Sequence, residues 1–262
     1  MAGTILITGA TDGLGRALAE RAHRAGWTVL AHGRSQAKLD AVAAALPGTR
    51  TFRADLASLA ETATLAEAVR RDTERLDVIV SNAGVGFGGA ERELSADGLE
   101  LRFAVNYLAG YLLVRTLLPL VRASAPARIV HVASAGQQAI DFDDVMLERG
   151  WDGNRAYWQS KLAQIMLTFD LAEELDPAQV TATALHPGTY MPTKLVIDAG
   201  IAPLTPLDHG VDATWRLATD PAMAGVTGRY FDGTREKRPE GQALDSDARR
   251  ALRELSERLT GV

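Results

Sequence analysis

Thr4-Ile5-Leu6-Ile7-Thr8-Gly9-Ala10-Thr11-Asp12-Gly13-Leu14-Gly15 opens with an apolar, β-branched run that breaks on glycines. Thr4 to Thr8 reads as a buried strand, and Leu14 to Ala25 carries the spacing of an amphipathic helix. In a strand, turn and helix of this kind glycine has a task. It lets the backbone approach a pyrophosphate, whose charge meets free N–H groups at the helix N-terminus. The spacing is Gly-x-x-x-Gly-x-Gly, not Gly-x-Gly-x-x-Gly. An ordinary glycine turn is the plainer alternative; the flanking strand and helix favour a nucleotide.

Working outward, the same alternation repeats. Strands are expected at Thr28–Ala31, Arg50–Arg53, Asp77–Val80, Arg128–Ala133 and Val180–Ala184, with a short seventh at Arg229–Phe231. Helices are expected at Lys38–Leu46, Ser58–Arg75, Asp97–Ser124, around Tyr157 to Leu175, and in the charged tail Asp245–Leu259, which can pack on the body or on a partner subunit. Crossovers of this length suit parallel strands, and no linker or repeat interrupts them. One α/β domain over 1–262 is the economical reading. Two stretches, 137–155 and 189–206, are too long for ordinary connections and are candidate substrate walls or lids. The acidic run Asp141-Phe142-Asp143-Asp144 reads as a helix N-terminus with a solvated face.

Chemistry-bearing residues gather after strand ends, where open α/β sheets bind ligands. Arg34 follows the second strand, where a carboxylate would bind ribose hydroxyls and an arginine suits a 2′-phosphate. It points to NADP(H) over NAD(H), with a solvent-exposed loop arginine as the alternative. Asp12 should repel that phosphate. Asp55 can cap the next helix or bond the adenine amine. Small residues in Asn82-Ala83-Gly84 let a ribose lie against the chain. Tyr157 and Lys161 lie one helical turn apart, so phenol and ammonium share a face. A nearby cation lowers a phenol's pKa and makes it a usable acid or base.

The 262 residues are 47% apolar, with 28 basic against 33 acidic side chains and a net charge of −5. That balance argues against nucleic acid as a partner. There is no cysteine and the histidines lack metal-ligand spacing, so neither thiolate chemistry nor a metal is expected. The start shows no signal-peptide pattern. The apolar stretch around Tyr107 to Val121 is broken by Arg115 and Pro119 and is expected not to span a bilayer. A cytoplasmic protein is the default expectation.

Thr8-Gly-Ala-Thr-Asp-Gly13-Leu-Gly15, Asn82-Ala-Gly84, Asn106, Ser134, Tyr157-x-x-x-Lys161 and Pro187-Gly188 together resemble the short-chain dehydrogenases/reductases, over essentially the whole chain. Phe103-Ala-Val-Asn106-Tyr-Leu-Ala-Gly110 and the Asp141-Phe-Asp-Asp insertion resemble the retinol dehydrogenase-like and protochlorophyllide reductase-like branch. The resemblance implies a Rossmann-type, doubly wound parallel sheet of about seven strands with helices on both faces. It implies a catalytic set: Tyr157 as proton donor, Lys161 lowering its pKa and holding the nicotinamide ribose, Ser134 bonding the substrate oxygen, and Asn106 holding a water that passes protons toward Lys161. Gly9, Thr11, Asp12, Gly13, Leu14, Gly15, Arg34, Asp55, Leu56, Asn82, Ala83, Gly84, Tyr157, Lys161, Pro187, Gly188 and Thr189 would hold NADP(H). Ser134, Gln137, Trp151, Tyr157, Tyr190 and Met191 would meet a carbonyl or alcohol substrate. Family members commonly form homodimers or homotetramers.

The expected activity is hydride transfer between nicotinamide and a small apolar carbonyl or alcohol. Two alternatives are a cofactor-binding sensor or scaffold with little catalysis, and redox-neutral or enone chemistry on the same scaffold.

Overall fold

A computed structural model describes residues 3–262, the side chain of Leu195 excepted; residues 1 and 2, and with them the start of the signal-peptide question, lie outside. Strands β1 (Thr4–Ile7), β2 (Thr28–Gly33), β3 (Arg50–Arg53), β4 (Val78–Ser81), β5 (Ala127–Val132), β6 (Val180–His186), β7 (Arg229–Asp232) and β8 (Arg235–Glu236) form one sheet in the order β3-β2-β1-β4-β5-β6-β7-β8. Seven strands run parallel; the two-residue β8, absent from the sequence reading, returns antiparallel on β7.

Alternation along each strand divides the core. Leu6, Leu30, Ile79 and Ile129 face one side, toward helices α3 (Leu59–Asp72), α4 (Ala109–Ala123) and α5 (Gly153–Glu174). Ile5, Ile7, Val29, Val78 and Val80 face the other, toward α1 (Gly13–Arg24), α2 (Gln36–Ala45) and α7 (Leu207–Thr219). Apolar residues on both faces are what a covered parallel sheet requires. The tail helix α8 (Ser246–Thr260) lies on the body, with Leu252 in the core beside α5 residues.

Caps fix where the helices begin. Asp12, Ser35, Ser58, Asp152 and Asp245 each accept a backbone N–H in the first turn of the helix they precede. Three expectations need correction. The 97–124 region is not helical throughout: Leu94 bridges Glu100, and a π-helical turn at Phe103–Leu108 leads into α4. Glu100 seeds that turn by accepting the Phe103 N–H at 2.7 Å. The run Phe103–Ala123 does reach the length and mean hydropathy of a bilayer span, but its surface is largely spent inside the fold. Asp141–Asp144 starts no helix: Asp144 accepts from Glu148 N and Arg149 N, and Asp141 pairs with Arg155.

The sheet order reverses between β1 and β4. Loops leaving those two strands therefore diverge and open a crevice at their C-terminal ends, as the rule for open α/β sheets demands.

Candidate active site

A cavity of about 970 Å³ fills that crevice, running from Arg34 at one end to Tyr190 at the other. Its floor is the turn after β1. Gly9 and Gly13 have φ of 67° and 48°, in the left-handed region that favours glycine. Gly15 is required for packing: a Cβ there would come 2.3 Å from the Gly9 carbonyl oxygen and 2.5 Å from Asn82 Nδ2. The Asn82 amide donates to the Thr8 carbonyl at 2.8 Å, while Asn82 N and Ala83 N both donate to Thr8 Oγ1 at 2.9 Å. Asn82 thus lines the cavity but spends its side-chain donor bracing the turn.

At the Arg34 end the geometry decides two points left open above. Ser58 caps α3, while Asp55 Oδ1 accepts from Ala57 N, so Asp55 is not the cap. Asp12 is bonded by Lys38 Nζ at 2.9 Å, which with the Gly13 N–H holds its carboxyl below the usual range against a modest cost of burial. Its charge is offset, and Lys38 joins Arg34 and Ser35 in the wall.

Ser134, Tyr157 and Lys161 converge on the far half of the cavity. The Ser134 carbonyl receives two donors, Tyr230 Oη at 3.0 Å and Gln137 Nε2 at 3.0 Å. Its hydroxyl oxygen accepts from Gly136 N at 3.1 Å, which leaves the hydroxyl proton to be donated. Burial pushes the Tyr157 phenol above its ordinary pKa, opposed by a bond with Ser134. Lys161, expected to lower it, bonds elsewhere. The ammonium is drawn to Val132 O at 3.0 Å and Gln164 Oε1 at 2.8 Å, and stands 5.7 Å from the centre of the Tyr157 ring. Burial brings Lys161 down to about 7.

Asn106 is not in the cavity wall. Its Oδ1 accepts from Val85 N at 2.7 Å, and its Nδ2 donates to Val85 O and Ser160 Oγ. The side chain ties the π-helical turn to the loop after strand β4 and to α5.

Residues 3–201 match the family model for short chain dehydrogenases. The chain belongs to the short-chain dehydrogenase family. Retinol dehydrogenase 13 of Mus musculus is 34% identical over 99% of this chain and 84% of its own length. A crystal structure of an uncharacterised protein from Mycobacterium paratuberculosis superposes with a TM-score of 0.81 at 28% identity, covering 99% of this chain and 93% of that one. The 3-ketoacyl-(acyl-carrier-protein) reductase of Brucella melitensis, complexed with NADH, gives 0.70 at 25% identity over 88% and 96%. This short-chain dehydrogenase is therefore an NAD(P)-dependent oxidoreductase of small molecules, in the retinol dehydrogenase-like branch.

The dehydrogenase's glycine floor fits a dinucleotide. The backbone is bare where a Cβ would collide, and the cavity continues past Asp55, Leu56, Ala83, Gly84, Pro187, Gly188 and Thr189. Of the expected substrate contacts, Ser134, Tyr157, Tyr190 and Met191 line the cavity; Gln137 and Trp151 do not. Gln137 is occupied by Ser134 O and Glu240 N, so it positions Ser134 instead. Trp151 stacks on the Arg102 guanidinium, 5.3 Å from its ring centre. Arg102 in turn donates to Gly86 O and Gly88 O and pairs with Glu100. That clamp presents Phe87, which was not among the expected substrate contacts. Phe87 lies edge-on to Tyr157 at 5.5 Å and near Tyr190 at 6.3 Å. Trp158, Leu101 and Val105 complete an apolar wall. The 189–206 stretch carries an unforeseen short helix, α6 (Lys194–Asp198), with Thr193 packed on Gly13.

Proposed function

We propose that the protein is an NADPH-dependent reductase of apolar aldehydes or ketones. The single observation that carries the reduction is that two hydroxyl donors, Ser134 and Tyr157, line one cavity and bond each other there. The cofactor, when bound, supplies the hydride. As negative charge grows on the substrate oxygen, Ser134 and Tyr157 donate to it, and Tyr157 gives up its proton. Tyr230 and Gln137 hold the Ser134 main chain in place, so its backbone position costs no reorganisation during reaction. Phe87, Trp158, Tyr190 and Met191 supply the apolar surface around the two donors.

Support for NADPH comes from Arg34 and Lys38 at the adenosine end, with Asp12 neutralised by the latter. Support for an apolar substrate comes from the aromatic wall and from the name of the retinol dehydrogenase relatives. The test is oxidation of NADPH and of NADH, followed by nicotinamide absorbance, with a panel of aliphatic, aromatic and isoprenoid aldehydes and ketones. Turnover with NADPH favoured over NADH is expected. No cofactor oxidation with any carbonyl, or full turnover by Tyr157→Phe, would sink the reading.

A further inference from the structure

Lys161 is held from behind by residues that no motif marks. Its ammonium has three N–H donors. One goes to Val132 O and one to Gln164 Oε1, both within the buried interior. The third is left for the cavity, which Lys161 lines beside Gly84, where an added Cβ would come 3.5 Å from Nζ. Gln164 sits one turn further along α5 and is 2% exposed. Its own Nε2 has no partner, so the amide is kept in the core for its oxygen alone. A buried amide that bonds one way and leaves a donor unmet costs stability, and such a cost marks a functional constraint.

The surroundings define the direction of the effect. Thr168 Oγ1 donates to Gln164 O, so it accepts from His131 Nδ1 at 2.8 Å. His131 therefore carries its proton on Nδ1 and presents an unpartnered, neutral Nε2. Burial, and after it the charge of Lys161, hold His131 down to about 4. From β5 the titratable neighbour is thus a neutral imidazole, from α5 the protonated Tyr157, and from the π-helical turn the uncharged Asn106. Among the described residues no carboxylate offsets the burial of the ammonium. The Gln164 carbonyl oxygen is the one side-chain acceptor Lys161 bonds among the described residues.

We infer that Gln164 is a positioning residue that keeps Lys161 charged and aims its free N–H into the cavity. It rests on the reading of Lys161 as part of the reaction centre, and on the reading that the protonated amine is the working form. Loss of the acceptor favours the neutral amine, and a carboxylate in its place favours the ammonium.

The test is the titration of Lys161 in cofactor-free protein, by NMR of the lysine side-chain resonances, with Lys161→Arg to assign the signal. Gln164→Leu should move the midpoint down by about one pH unit, the size a charge-assisted bond carries. Gln164→Glu should move it up. The high-pH limb of kcat/KM should move the same way in each variant. A merely structural residue would alter melting temperature or kcat and leave the midpoint in place. An unmoved midpoint in the folded variants overturns the inference, even if activity falls. Should the leucine variant not fold, the glutamate variant decides: an upward move supports the inference and an unmoved midpoint refutes it. Absence of turnover in wild type would remove the reductase reading alone, because the titration needs no substrate.

Discussion

The floor and the roof of the cavity are built differently. The floor is backbone against backbone: Gly15 against the Gly9 carbonyl, and Thr8 Oγ1 against two successive N–H groups. The roof is side chains on loops, among them Phe87, Met191 and Tyr190, the last exposed at 38%. A floor of this kind tolerates no added atom, because no neighbour can turn aside. A roof of this kind tolerates exchange at its surface. The floor meets the invariant part of a ligand, the pyrophosphate, and the roof meets the part that differs between substrates.

The largest effect is expected where the two meet. Tyr157→Phe should lower kcat by about 10²- to 10⁴-fold, the range of a single general acid, with the circular dichroism of the fold unchanged. Next is the floor itself. Gly15→Ala should cost roughly 1–3 kcal/mol in denaturant unfolding through backbone displacement and weaken both NADPH and NADH together. A stable Gly15→Ala protein with normal cofactor affinity would erase the contrast drawn here. At the adenosine end the effect should be selective: Arg34→Ala raises the Kd of NADPH about tenfold, the worth of one charge-assisted bond, and leaves NADH alone. On the roof, Phe87→Ala should raise KM for an apolar aldehyde about tenfold by removing buried ring surface, without loss of cofactor affinity.

The last effect is on stability against pH, and its sign is fixed. Lys161 titrates near 7 when folded and near 10.5 when unfolded, so between those values the unfolded chain holds more protons. Wild-type stability then rises with pH across that window. Lys161→Met removes the dependence. Its thermal midpoint relative to wild type should be most favourable below pH 7 and should lose ground steadily toward pH 10.

Most of the floor was legible in the chain. Thr4 to Gly15 announces strand, turn and helix within twelve residues, since those contacts are local. The strand ends carried Ser134 and Asn82 to the crevice for the same reason. What escaped was set by contacts across long separations. Trp151 and Gln137 have the look of pocket residues, yet one is claimed by Arg102 and the other by Ser134 and Glu240. Phe87 escaped because its clamp, Arg102, lies on another segment. Burial, which pushes the Tyr157 phenol up, escaped because spacing along a helix reports proximity alone. Lys38 could have been found: it follows Arg34 by four residues at the head of a helix, within reach of Asp12.

Arg102 grips its loop only through main-chain oxygens, at Gly86 and Gly88. Any residue at 87 brings the same carbonyls on either side, so the grip is indifferent to what stands there. Selectivity can then be retuned at that one site without repair elsewhere, and a library confined to codon 87 would explore new chemistry at little risk to foldability.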